Sequence, residues 1–286
     1  MISDITLGQF FPGNSILHRL DPRIKIILAA LFIAALFVAN TPIAFALMTI
    51  LTFVLIFISK ISTKVVIKGI KPIIFILIFT SLLNVFLTVG EGEPLLHFYF
   101  IKIYVEGIVR AIFMSLRVIL LIIGTSMFLT YTTSPITLTD GIESLLSPLK
   151  KIKLPVHEFA MMMSIALRFI PTLVEETEKI MNAQKSRGAD FSSGGLIKRA
   201  KALIPILVPL FVSSFKRADE LATAMECRCY RGDICRTKFN KLECHAIDFV
   251  WLFAFIVLLG ATIFTRVWLS DVFPLGQLHT ILLYKI

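Results

Sequence analysis

Two short stretches carry the residue types best suited to gripping another molecule. Ala183-Gln184-Lys185-Ser186-Arg187-Gly188 and Ala224-Met225-Glu226-Cys227-Arg228-Cys229-Tyr230-Arg231-Gly232 each set an arginine near the end of a helical pattern and run on to a glycine. A guanidinium is a rigid fork of donors that holds a carboxylate through two parallel hydrogen bonds. Taken singly, each stretch reads as an ordinary capped helix end: glycine closes the helix, and a cation in the last turn suits the negative end of the dipole. Taken together, the two similar endings stand 41 residues apart and each finishes a proline-containing amphipathic helix. That echo suggests two similar docking sites on a partner, in two related subunits. Removing one such arginine from a partner's groove costs on the order of 2–5 kcal/mol, much of it from the stranded partner charge.

Other reactive groups form no legible centre. Cys227, Cys229, Cys235 and Cys244 lie close together with His245 beside the last, yet C-x-C followed by gaps of five and eight matches no regular zinc pattern. They read as free thiols on the reducing side of a membrane. His157-Glu158 begins H-E-x-x-H, but residue 161 is Met. No G-x-x-x-x-G-K-[ST] occurs, so the chain has no P-loop of its own. The reading is no enzyme, no metal and no cofactor.

The elements that must position the arginines follow from composition. Of 286 residues 57% are hydrophobic and only 17% charged, too few charges for a water-soluble surface. The net charge of +10 is that of a membrane protein with basic cytoplasmic loops. No basic run interleaves with aromatics, so nucleic acid is not the partner. Residues 1–22 show no signal-peptide pattern. The apolar run from Ile24 to Ser59 is too long for one span of ~20 residues, and Asn40-Thr41-Pro42 breaks it into spans of about 24–39 and 42–58. Further spans fall at about 72–89, 106–130 and 249–266, with 95–105 left as a re-entrant or extended piece. Of the 29 Lys and Arg, 24 lie on the inner side when the N-terminus is cytoplasmic. These include Arg19, Arg23, Lys25, the group Lys60, Lys64, Lys68 and Lys71, and seventeen in 131–248. The expectation is an all-α, multi-pass protein of the cell membrane with its N-terminus in the cytoplasm and its C-terminus outside. It divides into a membrane domain, 1–130, a cytoplasmic domain of long amphipathic helices, 131–248, and a last span with its tail, 249–286.

Within 131–248, Thr132-Thr133-Ser134-Pro135 opens an amphipathic stretch ending near Pro148. A second helix starts at Pro155 and is kinked or broken at Pro171. Its continuation sets Leu173, Thr177, Ile180, Met181 and Gln184 on one side, with Glu175, Glu176, Glu178 and Lys179 largely on the other. A third runs from about 196 through Pro205 and Pro209. Its stripe of Phe211, Ser214, Ala218, Leu221, Ala222 and Met225 predicts a close crossing with another helix. Arg110 and Arg117 stand seven residues apart on one face of the fourth span. Arg110 sits near the outer boundary; for Arg117 a pairing inside the bundle and a place in a moving interface both stand.

Several of these segments together resemble the transmembrane T component of energy-coupling factor (ECF) type ABC transporters, importers of vitamins and trace-metal ions. The resemblance begins at Pro12-Gly13-Asn14-Ser15-Ile16-Leu17-His18-Arg19-Leu20-Asp21-Pro22-Arg23-Ile24-Lys25 and continues through Thr130-Tyr131-Thr132-Thr133-Ser134-Pro135. It takes in Leu167-Arg168-Phe169-Ile170-Pro171-Thr172-Leu173, both arginine stretches and Val208-Pro209-Leu210-Phe211. It implies a scaffold joined to two cytoplasmic ATP-binding cassette ATPase subunits and to a small membrane subunit that binds the substrate. It also implies that Arg187 and Arg228 fit grooves in the ATPases. Ala183, Ser186 and Gly188 flank the first arginine; Ala224, Glu226, Tyr230 and Arg231 flank the second. Cys227 and Cys229 stand where the family has alanine and glycine, so the second helix end is expected to shift toward Gly232 and to bring Arg231 into play. The rival readings are a membrane enzyme on lipid-linked substrates, using Asp140, Glu143, His157 and Glu158, and a self-contained permease.

Overall fold

The structure, a computed structural model, describes residues 10–88, 96–98, 101–153, 155–189, 191, 195–232 and 242–269. In chain order the helices are α1 (Ile16–Arg19), α2 (Pro22–Val38), α3 (Pro42–Ser59), α4 (Thr63–Ile70), α5 (Ile74–Leu87) and α6 (Val105–Thr125), then α7 (Pro135–Leu146), α8 (Val156–Ser186), α9 (Leu196–Cys227) and α10 (Ala246–Leu269). A short antiparallel hairpin, β1 (Leu96–Phe98) with β2 (Ile101–Ile103), pairs Leu96 with Ile103. It is the extended alternative for 95–105. The chain forms two compact units, one from Phe10–Ser134 with the segment beginning at Leu242, the other from the segment beginning at Pro135.

The first unit is a polytopic bundle. Pro22 and Pro42 open α2 and α3 at a position where a missing N–H costs nothing. Ahead of them Asp21 accepts from the Arg23 N–H at 2.8 Å and Thr41 from the Ala44 N–H at 3.3 Å. The Asn40-Thr41-Pro42 turn is thus a helix stop followed at once by a capped start. Among the described residues four helical stretches are long and apolar enough to cross a membrane: Pro42–Ser59, Thr63–Leu87, Val105–Tyr131 and Ala246–Trp268. The first of the five expected spans, α2, has 17 residues, about 25 Å of helix. It is the enclosed helix: Leu28, Phe32, Ala35 and Leu36 are fully buried. They pack with Phe45, Met48 and Leu55 of α3, Leu120 of α6 and Phe255 of α10.

The third apolar stretch is preceded by helix rather than entered from a loop. The helical run starts at Thr63, so Lys64, Lys68 and Lys71 lie on helix ahead of the apolar residues of α5. The lysines at 64 and 68 share one face while Val66, on another, is buried. A tightened turn at Lys71–Ile73, with Pro72 in it, joins α4 to α5. Apolarity alone locates the core of a span, whereas an amphipathic lead-in of this kind has too many cations to score as one.

Between helices in a bilayer the gain comes from close packing, since lipid is as apolar as leucine. Gly124 of α6 shows how close: a Cβ there would lie 2.2 Å from Phe32 Cε1. Beyond α6 the helix widens into a π segment, Ser126–Tyr131. Such a segment leaves carbonyls short of their usual partners. Thr132 Oγ1 donates to Met127 O at 2.8 Å and Thr133 Oγ1 to Phe128 O at 2.8 Å.

The same end of the bundle is knotted by buried charge. Lys25 Nζ donates to Thr132 O at 2.9 Å and to His18 O at 3.3 Å. Asp248, 1% exposed, accepts from the Asp21 N–H at 3.1 Å and the His245 N–H at 2.7 Å. Each carboxylate caps its own helix, and Asp248 also ties α10 to the start of α2. At the other end of α2, Arg117 donates to Ala39 O at 2.7 Å and Asn40 Oδ1 at 3.2 Å, and its guanidinium lies 5.1 Å from the Phe45 ring centre. That is the pairing reading of Arg117: it caps the carbonyl end of α2.

Two measurements check this packing. Gly124→Ala is expected to lower the stability of the detergent-solubilised protein by about 1–3 kcal/mol, read as an earlier thermal unfolding midpoint. Cys244 Sγ lies 3.6 Å from Asp21 Oδ2, and burial together with the Asp21 charge pushes its thiol pKa up. Because the thiolate is the reacting form, maleimide labelling of Cys244 is expected to need a higher pH than an ordinary thiol. Asp21→Asn, which keeps the helix cap, shifts that profile down.

Candidate docking site at two helix ends

In the second unit, α7 is followed by a 3-10 stretch, Ser147–Ile152, and α8 starts directly after Pro155. The first turn of α8 is tied to α7 where His157 Nδ1 meets Glu143 Oε1 at 3.0 Å, both side chains largely buried. Two residues of the enzyme reading are thereby paired with each other across a helix junction. Both α8 and α9 continue through their prolines, Pro171, Pro205 and Pro209. Each is an unbroken rod of about 46–48 Å.

The two rods cross through one carboxylate. Glu176 of α8 accepts from Ser213 Oγ and, at 2.9 Å, from Arg217 of α9. Leu173, Thr177, Ile180, Met181 and Gln184 are half-buried as the periodicity predicts, but Glu176 and Glu178 are half-buried too. In α9, Ser214, Leu221 and Met225 of the expected stripe are half-buried, but Phe211 is 60% exposed and Ala218 and Ala222 are exposed, while Ser213 and Arg217 are half-buried instead. Neither Ser213 nor Arg217 reads as apolar, so periodicity alone misses the polar contact that sets the crossing. The signal that finds it is a serine and an arginine at i and i+4, a spacing that puts both on one face.

From this crossing the two arginines stand at equal arm. Arg187 is eleven residues beyond Glu176, and Arg228 is eleven beyond Arg217, about 16 Å of helix in each case. Past Arg228 the chain returns to the first turn of α8, where a Cβ on Gly232 would lie 3.8 Å from Glu158 Oε1. The helices therefore run in opposite senses, and their arginines project from opposite ends of the pair.

Both ends close the same way. Arg187 is the C-cap of α8: Gly188 N–H donates to Lys185 O at 3.0 Å and Ala189 N–H to Gln184 O at 3.0 Å. Arg228 is the C-cap of α9: Cys229 N–H donates to Glu226 O at 2.8 Å and Tyr230 N–H to Met225 O at 3.1 Å. These are two Schellman motifs in one register, with bonds from the second and first residues past the cap. Gly188 takes the left-handed conformation at φ +86° and Cys229 takes it at φ +54°. The expected shift of the second end toward Gly232 does not occur, and Arg231 lies outside the helix, three residues past the arginine that caps it. Cysteine is tolerated at the left-handed position because the two bonds of the motif hold it there.

Ala183, Ser186, Arg187, Gly188, Ala224, Glu226, Arg228 and Arg231 are all exposed, and Tyr230 is half-buried. Ser186 Oγ donates back to Asn182 O at 3.1 Å. Cys227 and Cys229 are exposed free thiols; Cys235 lies outside the described residues. The geometry sets two guanidinium forks on rigid, identically closed stalks, suited to entering a concave acidic surface. Cys229→Gly is expected to stabilise the α9 end by about 1 kcal/mol, because a side chain in the left-handed region costs about that much. A higher unfolding midpoint, with helicity unchanged by circular dichroism, checks it.

Residues 13–239 match the CbiQ family model, described as "Cobalt transport protein". The "Energy-coupling factor transporter transmembrane protein EcfT" of Clostridium kluyveri is 52% identical over 268 residues, 94% of this chain and 99% of the relative. The protein of the same name from Bacillus subtilis is 49% identical over 266 residues, 93% of this chain and 100% of the relative. That from Acidaminococcus fermentans is 51% identical over 263 residues, 91% of this chain and 97% of the relative. On a match that spans most of its length, the chain belongs to the CbiQ family, together with the EcfT transmembrane proteins of energy-coupling factor transporters.

Proposed function

We propose that this chain is the scaffold of an ECF-type importer in the cell membrane, transmitting the motion of two ATP-binding cassette ATPase subunits to a small membrane subunit that binds a vitamin or metal ion. The N-terminus and the α7–α9 unit lie in the cytoplasm. Arg187 and Arg228 are the two handles, each entering a groove in one ATPase. Ala183, Ser186 and Gly188 shape the first contact, and Ala224, Glu226, Tyr230 and Arg231 the second.

One observation carries the proposal: two Schellman-closed helix ends with an arginine at the same cap position, eleven residues from a shared crossing. Two related motor subunits present two similar grooves, and a matched pair of tips is what such grooves select. When the subunits close on ATP, the tips are drawn together and α8 scissors over α9 about Glu176. The chain burns no fuel of its own; the motors do, and the substrate-binding subunit sets what is carried.

Arg187→Glu or Arg228→Glu is expected to weaken ATPase docking by about 2–5 kcal/mol, because each change strands a partner carboxylate and adds repulsion. The double variant should still insert in the membrane but should lose both ATPases on affinity purification, and uptake with them. Full retention of both ATPases by the double variant would falsify the handle reading.

A further inference from the structure

Three lysines of the helical run that begins at Thr63 fall on one line. Lys64, Lys68 and Lys71 follow one another by steps of four and three residues, which sets them on one face of α4 and its C-cap. All three are exposed. The opposite face is held by packing. Val66 is buried against Met127 and Tyr131, and a Cβ on Gly69 would run into Tyr131 Oη. Helix α4 cannot turn its lysines inward without losing that seat. Lys60, the exposed C-cap of α3, brings a fourth cation to this end. No acidic residue stands in the sequence between Asp21 and Glu91, so α4 and the helices before and after it supply no anion of their own.

Beyond Pro72 the exposed surface of the same run changes character. Steps of three and four lead on from Lys71 to Phe75, Phe79, Leu82 and Phe86, and these side chains are exposed as well, Phe75 at 78%. Thr63–Leu87 has 25 residues, about 37 Å of helix, which is longer than the roughly 30 Å of hydrocarbon core. A lysine in hydrocarbon is expensive and a phenylalanine is not, so the surplus belongs at the lysine end. The headgroup level is thus marked on the helix itself, where lysine gives way to phenylalanine.

We propose that Lys64, Lys68 and Lys71 bind the headgroup phosphate of an anionic phospholipid whose acyl chains lie along Phe75, Phe79 and Leu82. Lysine suits the place: its four-carbon stem lies along apolar surface while the ammonium stays at the polar level. The ladder covers about 10 Å along the helix, so a phosphate settles between two ammonium groups and can pass from one pair to the next. Charge selects an anionic lipid over a zwitterionic one, and the exposed phenylalanines select a lipid over a free anion. The site is built on the membrane bundle alone and does not depend on what docks on α8 and α9.

Native mass spectrometry of the full chain in detergent, titrated in parallel with phosphatidylglycerol and phosphatidylcholine, tests this. Changing Lys64, Lys68 and Lys71 together to Gln is expected to weaken the tightest phosphatidylglycerol by roughly thirtyfold, the attraction of about two lysines for one anionic lipid. Phosphatidylcholine binding should not change. The three lysines are exposed, so folding should survive, and the same three positions changed to Arg should keep the preference for phosphatidylglycerol. Removing as many exposed cations elsewhere, with Lys179→Gln, Lys201→Gln and Lys216→Gln on α8 and α9, should leave it intact. Inorganic phosphate at equal concentration should not displace the lipid. An unchanged preference in the triple Gln variant overturns the proposal, as does an equal loss in the α8–α9 variant or displacement by inorganic phosphate.

Discussion

The second unit is organised around the carboxylate of Glu176. One side chain holds Ser213 and Arg217 together, and that fixes where along its length each long rod crosses the other. At partial exposure such a pair contributes on the order of 1 kcal/mol, little for stability but enough for register. Sliding α9 by one turn along α8 would strand Arg217 and break the contact.

The first unit solves a different problem with the same means. Its helix ends lie in or near lipid, where an unsatisfied peptide group has no water to turn to. Asp21 and Asp248 cap two helix starts, and Asp248 joins them through the Asp21 N–H. Lys25 collects the carbonyls of His18 and Thr132, and Arg117 collects that of Ala39. Cations finish carbonyl ends and carboxylates finish amide ends, the division that the helix dipole favours. The segments around Pro12–Lys25 and Thr130–Pro135, far apart in the chain, carry the family resemblance and meet at this knot.

Much of this was legible in the residues. The alternation of apolar runs with Asn40-Thr41-Pro42 locates a helix stop and start. Pro155 and Leu196 are read within a residue of the starts of α8 and α9, because a proline and a change of period mark them. What eluded the sequence has physical causes. One concerns the third span: three lysines precede the apolar run, so hydropathy begins the stretch near Pro72 although the helix begins at Thr63. Periodicity ranks residues by hydropathy and so puts Glu176 on the solvated side, although its carboxylate bridges two helices. Cys229 in the left-handed position eludes the sequence for a third reason: glycine is favoured there by about 1 kcal/mol, a margin that two backbone bonds override.

The handle reading draws its force from symmetry in the chain rather than from either arginine. A single capped arginine is what the helix dipole alone would select, and Gly188 alone would explain the first end. The dipole does not require the second end to reproduce the first bond for bond with a cysteine in place of glycine. Nor does it require both tips to stand eleven residues from the Arg217–Glu176 contact. Equal arms fit the proposed docking of both tips. If both are driven together, unequal arms would turn the two rods through different angles for equal strokes and drag the crossing sideways, against the Glu176 contact. Equal arms keep such strokes from pulling Arg217 away from Glu176.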